Sequence, residues 1–239
     1  VWAGVALKDI LNEVGIGPNA HEVLFEGADT GTPAPGESEM PYLRSLPIDV
    51  AMHPDMLVAY EMNGEELPIE HGYPLRLVIP GWYGMASVKW LTGIKVIDYE
   101  YEGFFQTDRY VIENDDGVWE QIKEISIKSL ISSPAVGEEL ANQPTCVAGM
   151  AWSGNAQIKE VEFSADGGQT WQPATLTGPS ERYAWQQWHI SWTPPMAGHY
   201  TLACRATDQL GNIQPIETRW NEGGYVVNGV RPVCVMVAA

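Results

Sequence analysis

The sequence predicts two domains in tandem: an α+β domain over residues 1–131, then an all-β sandwich of immunoglobulin type over residues 132–239. Two observations carry this reading. Before Ser132 apolar positions follow a mixture of helical and strand spacing, whereas after Ser132-Ser133-Pro134 helical spacing disappears and strands of period two follow at short intervals. The second stretch is also about 100 residues long, the ordinary size of such a sandwich. With 239 residues, 45% apolar and 18% charged, the chain can bury two separate cores.

In the first domain Leu7, Ile10, Leu11 and Val14 lie on one face of a short helix, and Gly15 stands where helices commonly stop. Val23-Leu24-Phe25 reads as a buried strand, and the Gly-, Pro-, Thr- and Ser-rich stretch 28–41 as a loop. Leu57 to Tyr60 and Leu75 to Pro80 are further strands, with a turn signal at Asn63-Gly64 between them, and Val88 to Val96 continues the apolar pattern. In the second domain Val161 and Phe163 alternate with Glu160 and Glu162 before an Asp166-Gly167-Gly168 turn toward Trp171. Trp188, Ile190 and Trp192 form one face of a strand, as do Tyr200, Leu202, Cys204 and Ala206, and the run Val233 to Val237 closes the unit.

Thirteen Lys and Arg against 31 Asp and Glu give a formal charge of -18. That balance excludes nucleic acid and anionic membrane surfaces as partners, since both require clustered cations. No apolar run reaches the length of a membrane span, and the first residues, Val1-Trp2-Ala3-Gly4-Val5, do not form a signal peptide. Cys146, Cys204 and Cys234 are widely spaced, in no haem-attachment or zinc pattern; they read as small buried residues of the sandwich and not as a disulfide framework.

Because cations are scarce, their positions are informative. Arg76 interrupts the apolar run Leu75 to Pro80, Lys89 interrupts Val88 to Leu91, and His71-Gly72 precedes Arg76. A charge beside a core needs a partner, and these three together can grip a phosphate or another polyanion. Pairing of Arg76 and Lys89 with the abundant acids, with His71 as a satisfied strand-end residue, explains the same pattern.

The string Ala59-Tyr60-Glu61-Met62-Asn63-Gly64, His71-Gly72-Tyr73-Pro74-Leu75-Arg76, Pro80-Gly81-Trp82 and Ser87-Val88-Lys89-Trp90-Leu91 resembles the molybdenum domain of sulfite oxidases and assimilatory nitrate reductases. Trp2-Ala3-Gly4-Val5 and Phe25-Glu26-Gly27-Ala28-Asp29 are similar to the same domain. Ala151-Trp152-Ser153-Gly154, Ser164 to Trp171 and Cys204-Arg205-Ala206-Thr207-Asp208 are similar to the family's dimerisation domain. The resemblance implies the later part of a molybdopterin-binding domain followed by an immunoglobulin-like dimerisation domain. Asp29, His71, Arg76, Ser87, Val88 and Lys89 would then hold molybdopterin, and Tyr110 would be the active-site tyrosine. The bland alternatives are a solvated loop acid at Asp29 and an ordinary half-buried tyrosine at Tyr110.

The implied activity is oxidation of a small oxyanion such as sulfite, with electrons passed to an external acceptor such as a cytochrome and no haem of its own. A sulfane dehydrogenase is the alternative enzyme; a non-catalytic fragment that simply dimerises is the alternative of another class. A homodimer and an extracytoplasmic location are implied as well. Three features depart from the family. Its molybdenum-ligating cysteine lies upstream of the Trp2 segment, and residues 1–145 contain no cysteine, so no metal ligand is assigned and the chain reads as part of a longer protein. Arg109 stands where sulfite oxidases place an acid, and Gly223 stands where many place an anion-binding arginine; Arg109 is therefore assigned to the substrate together with Tyr110.

Overall fold

The computed structural model describes residues 1–239, which divide into two compact units, Val1–Lys123 and Glu124–Ala239. The division falls ahead of residue 131 because Ile127 and Ile131 already pack in the core of the second unit.

The first unit opens with β1 (Trp2–Ala6) and α1 (Leu7–Val14), whose Leu7 and Leu11 are buried on one face. Gly15, at φ 78°, ends the helix with a backbone that a side chain would disfavour. Next come β2 (Glu22–Gly31), β3 (Met40–Pro47), the single turn α2 (Ile48–Ala51) and β4 (Leu57–Met62). They are followed by β5 (Glu65–Glu66), β6 (Arg76–Val78), β7 (Leu91–Ile97), β8 (Val111–Glu113) and β9 (Trp119–Gln121). Strands β3, β2 and β7 form one antiparallel sheet in that order; β1, β4 and β5 form another, with β6 also on β4; β8 and β9 make a separate ribbon.

Asn63 and Gly64, at φ 57° and 83°, close the β4–β5 hairpin, the backbone that a two-residue primed turn demands. Two boundaries differ from the sequence reading. The loop expected over 28–41 shrinks to the stretch between β2 and β3, because the ladder resumes after a bulge with Thr30 opposite Pro41 and Gly31 opposite Met40. Strand β7 starts at Leu91 and not at Val88, because Trp90 adopts φ 49° and breaks the extended path, leaving Ser87 to Lys89 as irregular backbone.

In the second unit, β10 (Lys128–Ser133), β11 (Glu139–Leu140), β12 (Thr145–Trp152) and β13 (Ile158–Ser164) are followed by β14 (Gln172–Pro173) and β15 (Thr175–Thr177). The unit ends with β16 (Gln186–Trp192), β17 (Gly198–Asp208) and β18 (Val233–Val237). The sheet β10-β12-β16-β15 faces the sheet β11-β18-β17-β13-β14 across a core containing Val147, Val161, Phe163, Trp188, Leu202 and Val235. The buried Gln214 side chain joins the layers: its Oε1 accepts from the Ser129 amide and hydroxyl, both at 2.8 Å, and from the Ala206 amide at 3.3 Å. All three cysteines are free, and only Cys204 is buried. Cys146 and Cys234 are exposed, because the alternation of β12 and β18 turns them away from the core that their neighbours Val147, Val233 and Val235 enter.

Candidate functional site

Irregular backbone on either side of β6 gathers the first group of candidates. Ile69–His71 form a 3-10 turn capped by Gly72 at φ 104°. A Cβ on Gly72 would lie 2.9 Å from the Cβ of Lys89, so glycine is what lets the His71 turn close against the Ser87–Lys89 segment. The Arg76 guanidinium spans the gap. Its Nε donates to Leu77 O at 3.4 Å, one terminal nitrogen donates to His71 O at 3.1 Å, and the other donates to Ser87 O at 3.4 Å. It also lies 4.9 Å from the centre of the Trp2 ring.

No carboxylate pairs with Arg76, and burial lowers its pKa. Of the five N–H groups that a guanidinium carries, about two remain for a ligand. Lys89 Nζ donates to Glu70 O at 2.9 Å and lies 4.2 Å from the Trp90 ring centre, while Trp90 Nε1 donates to Ile69 O at 2.8 Å. Ser87 Oγ accepts from the Ile79 amide at 3.1 Å, and Val88 is buried. Asp29 reaches the same place from β2: the Ala28 amide donates to Trp90 O at 2.8 Å, and a Cβ on Gly27 would sit 3.0 Å from Lys89 O. Asp29, His71, Arg76, Ser87, Val88 and Lys89, drawn from three separate stretches of sequence, thus converge. In a chain with 31 acids, the two cations among them carry no acid partner.

This donor set suits molybdopterin. Arg76, Lys89 and the exposed His71 offer N–H groups to a phosphate, and Asp29 offers a carboxylate to pterin N–H groups. The first unit contains no cysteine, and no cluster of His, Cys, Asp and Glu of a size to hold a metal ion occurs.

A second group lies beyond β7. Residues Phe104–Asp108 form one turn of π-helix, a rare geometry that recurs at functional sites, and Arg109-Tyr110 follow directly. Tyr110 is half-buried with φ 58°, an unusual backbone for a bulky residue, and its carbonyl accepts from the Ile122 amide at 2.8 Å. Exposed Arg109 lies 5.3 Å from the Phe104 ring centre and donates to Asp108 O at 3.3 Å.

The π-helical turn is docked on β3. Gln106 accepts from the Ser45 amide at 3.0 Å and donates to Ser45 Oγ at 2.5 Å, the Tyr42 and Phe105 rings meet at a tilt of 43° with centroids 4.9 Å apart, and Arg44 donates to Phe105 O. The Tyr42 hydroxyl donates to Met85 O at 2.5 Å. Burial pushes its phenol up to about 12; Arg44 opposes that, while Tyr110 and Asp29 reinforce it. Tyr42 is therefore within electrostatic reach of both groups of candidates. Arg44, Gln106 and the π-helical turn were not singled out from the sequence, although Leu43-Arg44-Ser45-Leu46 carries the same signal of a cation inside an apolar run as Arg76.

Comparison with known proteins follows the same division. Residues 1–105 match the oxidoreductase molybdopterin binding domain, and residues 119–236 match the Mo-co oxidoreductase dimerisation domain. The chain is 36% identical over 262 aligned residues to the mitochondrial sulfite oxidase of Homo sapiens, with 99% of this chain and 46% of that protein covered. It is 34% identical to nitrate reductase [NADH] 2 of Phaseolus vulgaris, covering 95% of this chain and 29% of that protein. The crystal structure of the sulfane dehydrogenase SoxCD from Paracoccus pantotrophus superposes with a TM-score of 0.85 at 32% identity, covering 98% of this chain and 59% of that one. The chain spans about half the length of the curated sulfite oxidases it matches.

Proposed function

The chain belongs to the sulfite oxidase family of molybdopterin-dependent oxidoreductases, and from that premise we propose that a protein containing it binds molybdopterin through the first unit, oxidises a small sulfur oxyanion, sulfite foremost, and pairs as a homodimer through the second. The observation that carries the reading is the convergence of Asp29, His71, Arg76, Ser87 and Lys89 around cations with no acid partner. An unneutralised guanidinium and ammonium, tied to backbone carbonyls, form a preorganised phosphate grip.

When bound, the cofactor supplies two-electron oxidation with oxygen-atom transfer. The chain's own residues do the rest. Arg76 and Lys89 hold the phosphate, His71 donates a further hydrogen bond, and Asp29 fixes the pterin edge. Arg109, exposed after the π-helical turn, meets the incoming anion, and the Tyr110 phenol donates a hydrogen bond that orients it or relays a proton. Oxidation of sulfite to sulfate consumes one water and releases two protons and two electrons; the electrons pass to an external acceptor such as a cytochrome.

One observation favours a second reading, a sulfane dehydrogenase: the superposition on such an enzyme reaches a TM-score of 0.85 over 98% of this chain. Steady-state rates on sulfite, thiosulfate and nitrate, measured on a protein that includes this chain and the family's upstream cysteine, decide the matter. Sulfite turnover is expected to dominate. Thiosulfate-type turnover without sulfite oxidation selects the second reading, and an inert, cofactor-free protein overturns both.

A further inference from the structure

Arg44 is the most deeply buried cation of the molecule. It stands opposite Phe25, in the row of the sheet that continues with the Val23–Leu46 pair. Val23 and Phe25 are 0% exposed, and Leu46 and Arg44 1%. A guanidinium in such a row normally brings a carboxylate with it, because burying an isolated charge is costly. Arg44 has none. Its one hydrogen bond goes to Phe105 O, and its Nε is buried without a partner. The ionisable groups acting on it are the phenols of Tyr42, Tyr110 and Tyr101. A tie to the Phe105 carbonyl alone would need only a neutral donor, so hydrogen bonding does not account for a full charge here.

We propose that Arg44 is a positioning residue whose counter-charge is the anion bound at Arg109 and Tyr110: through Phe105 it fixes the π-helical turn that presents those residues, and its unneutralised charge favours an anion beside them. The inference rests on the reading of Arg109 and Tyr110 as the oxyanion site. By linkage, an anion that stabilises the charge on Arg44 stabilises the fold, and the effect is lost with the charge.

The test uses the 239-residue chain with inorganic sulfate as the probe. Unfolding midpoints are followed against sulfate concentration at constant ionic strength set with chloride, in wild type, Arg44→Lys, Arg44→Gln and Arg44→Met. Gln keeps a donor without the charge, Lys keeps the charge, and Met keeps neither. General salting effects are common to all four, so the variants isolate a specific site.

The wild type and Arg44→Lys are expected to show saturable stabilisation with affinities within about threefold of each other, while both neutral variants bind sulfate about tenfold more weakly or worse. Equal sulfate affinity in Arg44→Gln and wild type overturns the inference, as does a wild type without saturable response. So does failure of both neutral variants to fold, which would make the charge structural. Sulfite turnover, measured separately on a protein with the upstream cysteine, keeps the two claims apart. No turnover with intact sulfate linkage removes the proposed reaction alone, and turnover without linkage removes the role of Arg44 alone.

Discussion

At the scale of single residues, Arg76 and Tyr110 divide the labour of the proposed site, and substitutions separate them. Arg76→Ala removes a charge-assisted contact worth about 1.5–3 kcal/mol. It also unties the His71 turn from the Ser87 segment. Cofactor content per mole of purified protein is therefore expected to fall more than tenfold while the fold, followed by circular dichroism, persists; unchanged occupancy would return Arg76 to a structural role. Tyr110→Phe leaves that grip untouched, so occupancy should hold while turnover drops by about 10²-fold or more, as expected for a lost acid–base or orienting group. The carboxylates of the second unit give a pH prediction. Hydrogen bonds from Thr170, Ser164 and Gln169 hold the Asp166 carboxyl below the usual carboxylate range. At Asp208 desolvation pushes the value up, but donors on Asn212, Ser153 and Leu210 outweigh it and hold the net value down. Both groups bind protons less readily folded than unfolded, so their stabilisation is complete above about pH 4, the unfolded carboxylate range, and is lost as pH falls through the folded values. Asp208→Asn should flatten that acid limb of a stability–pH curve; an unaltered limb would show that other carboxylates set it.

At the scale of elements, the π-helical turn and the edge strand it covers are the most consequential pairing. Strand β3 ends its sheet, and the Ser45 amide, which would otherwise face outward, finds its acceptor in Gln106. Gln106→Ala is expected to cost about 1–3 kcal/mol, because it orphans that buried amide. It should also loosen Arg109 and Tyr110, visible as faster amide exchange across 104–110; unchanged exchange there would show the turn to be held by Tyr42 and Arg44 alone. This pairing also marks where sequence legibility ends. Helix α1 could be read directly, since Leu7 and Leu11 repeat at helical spacing and Gly15 stops them, and β16 and β17 could be read from strict alternation. The grouping of His71, Arg76 and the Ser87–Lys89 segment could be anticipated because cations interrupting apolar runs are conspicuous in so acidic a chain, whereas Asp29 was added only by the resemblance of its surrounding string. A π-helix has no periodic signature over five residues, and the burial of Arg44 depends on register with Phe25, a long-range fact that no local pattern encodes. The outward turn of Cys146 and Cys234 was missed for a related reason: hydrophobicity alone does not say which face of a strand a small residue occupies.

At the scale of the whole molecule, the second unit carries six of the ten tryptophans. Trp188 and Trp192 fill its core, whereas Trp185 and Trp220 are 63% and 84% exposed. Such surplus aromatic surface is typical of interface cores, and a two-fold contact of ordinary size would bury about 1,600 Å² in total. Sedimentation of the chain at tens of micromolar is expected to give a dimer, and a strict monomer would remove the pairing from the proposal. If the proposed external acceptor is basic, a charge of -18 predicts that electron exchange with it slows as ionic strength rises. The three unpaired thiols have a practical corollary. All lie in the second unit; two are exposed, and the third, Cys204, is buried beneath Ser129 with its thiol pushed up to about 12 by burial. A thiol reagent should therefore label two positions on the native chain at once and the third only when the sandwich opens, while the first unit, free of cysteine, stays silent. The molecule thus has a built-in clock for the opening of one half of its structure, readable by mass spectrometry without engineering a probe.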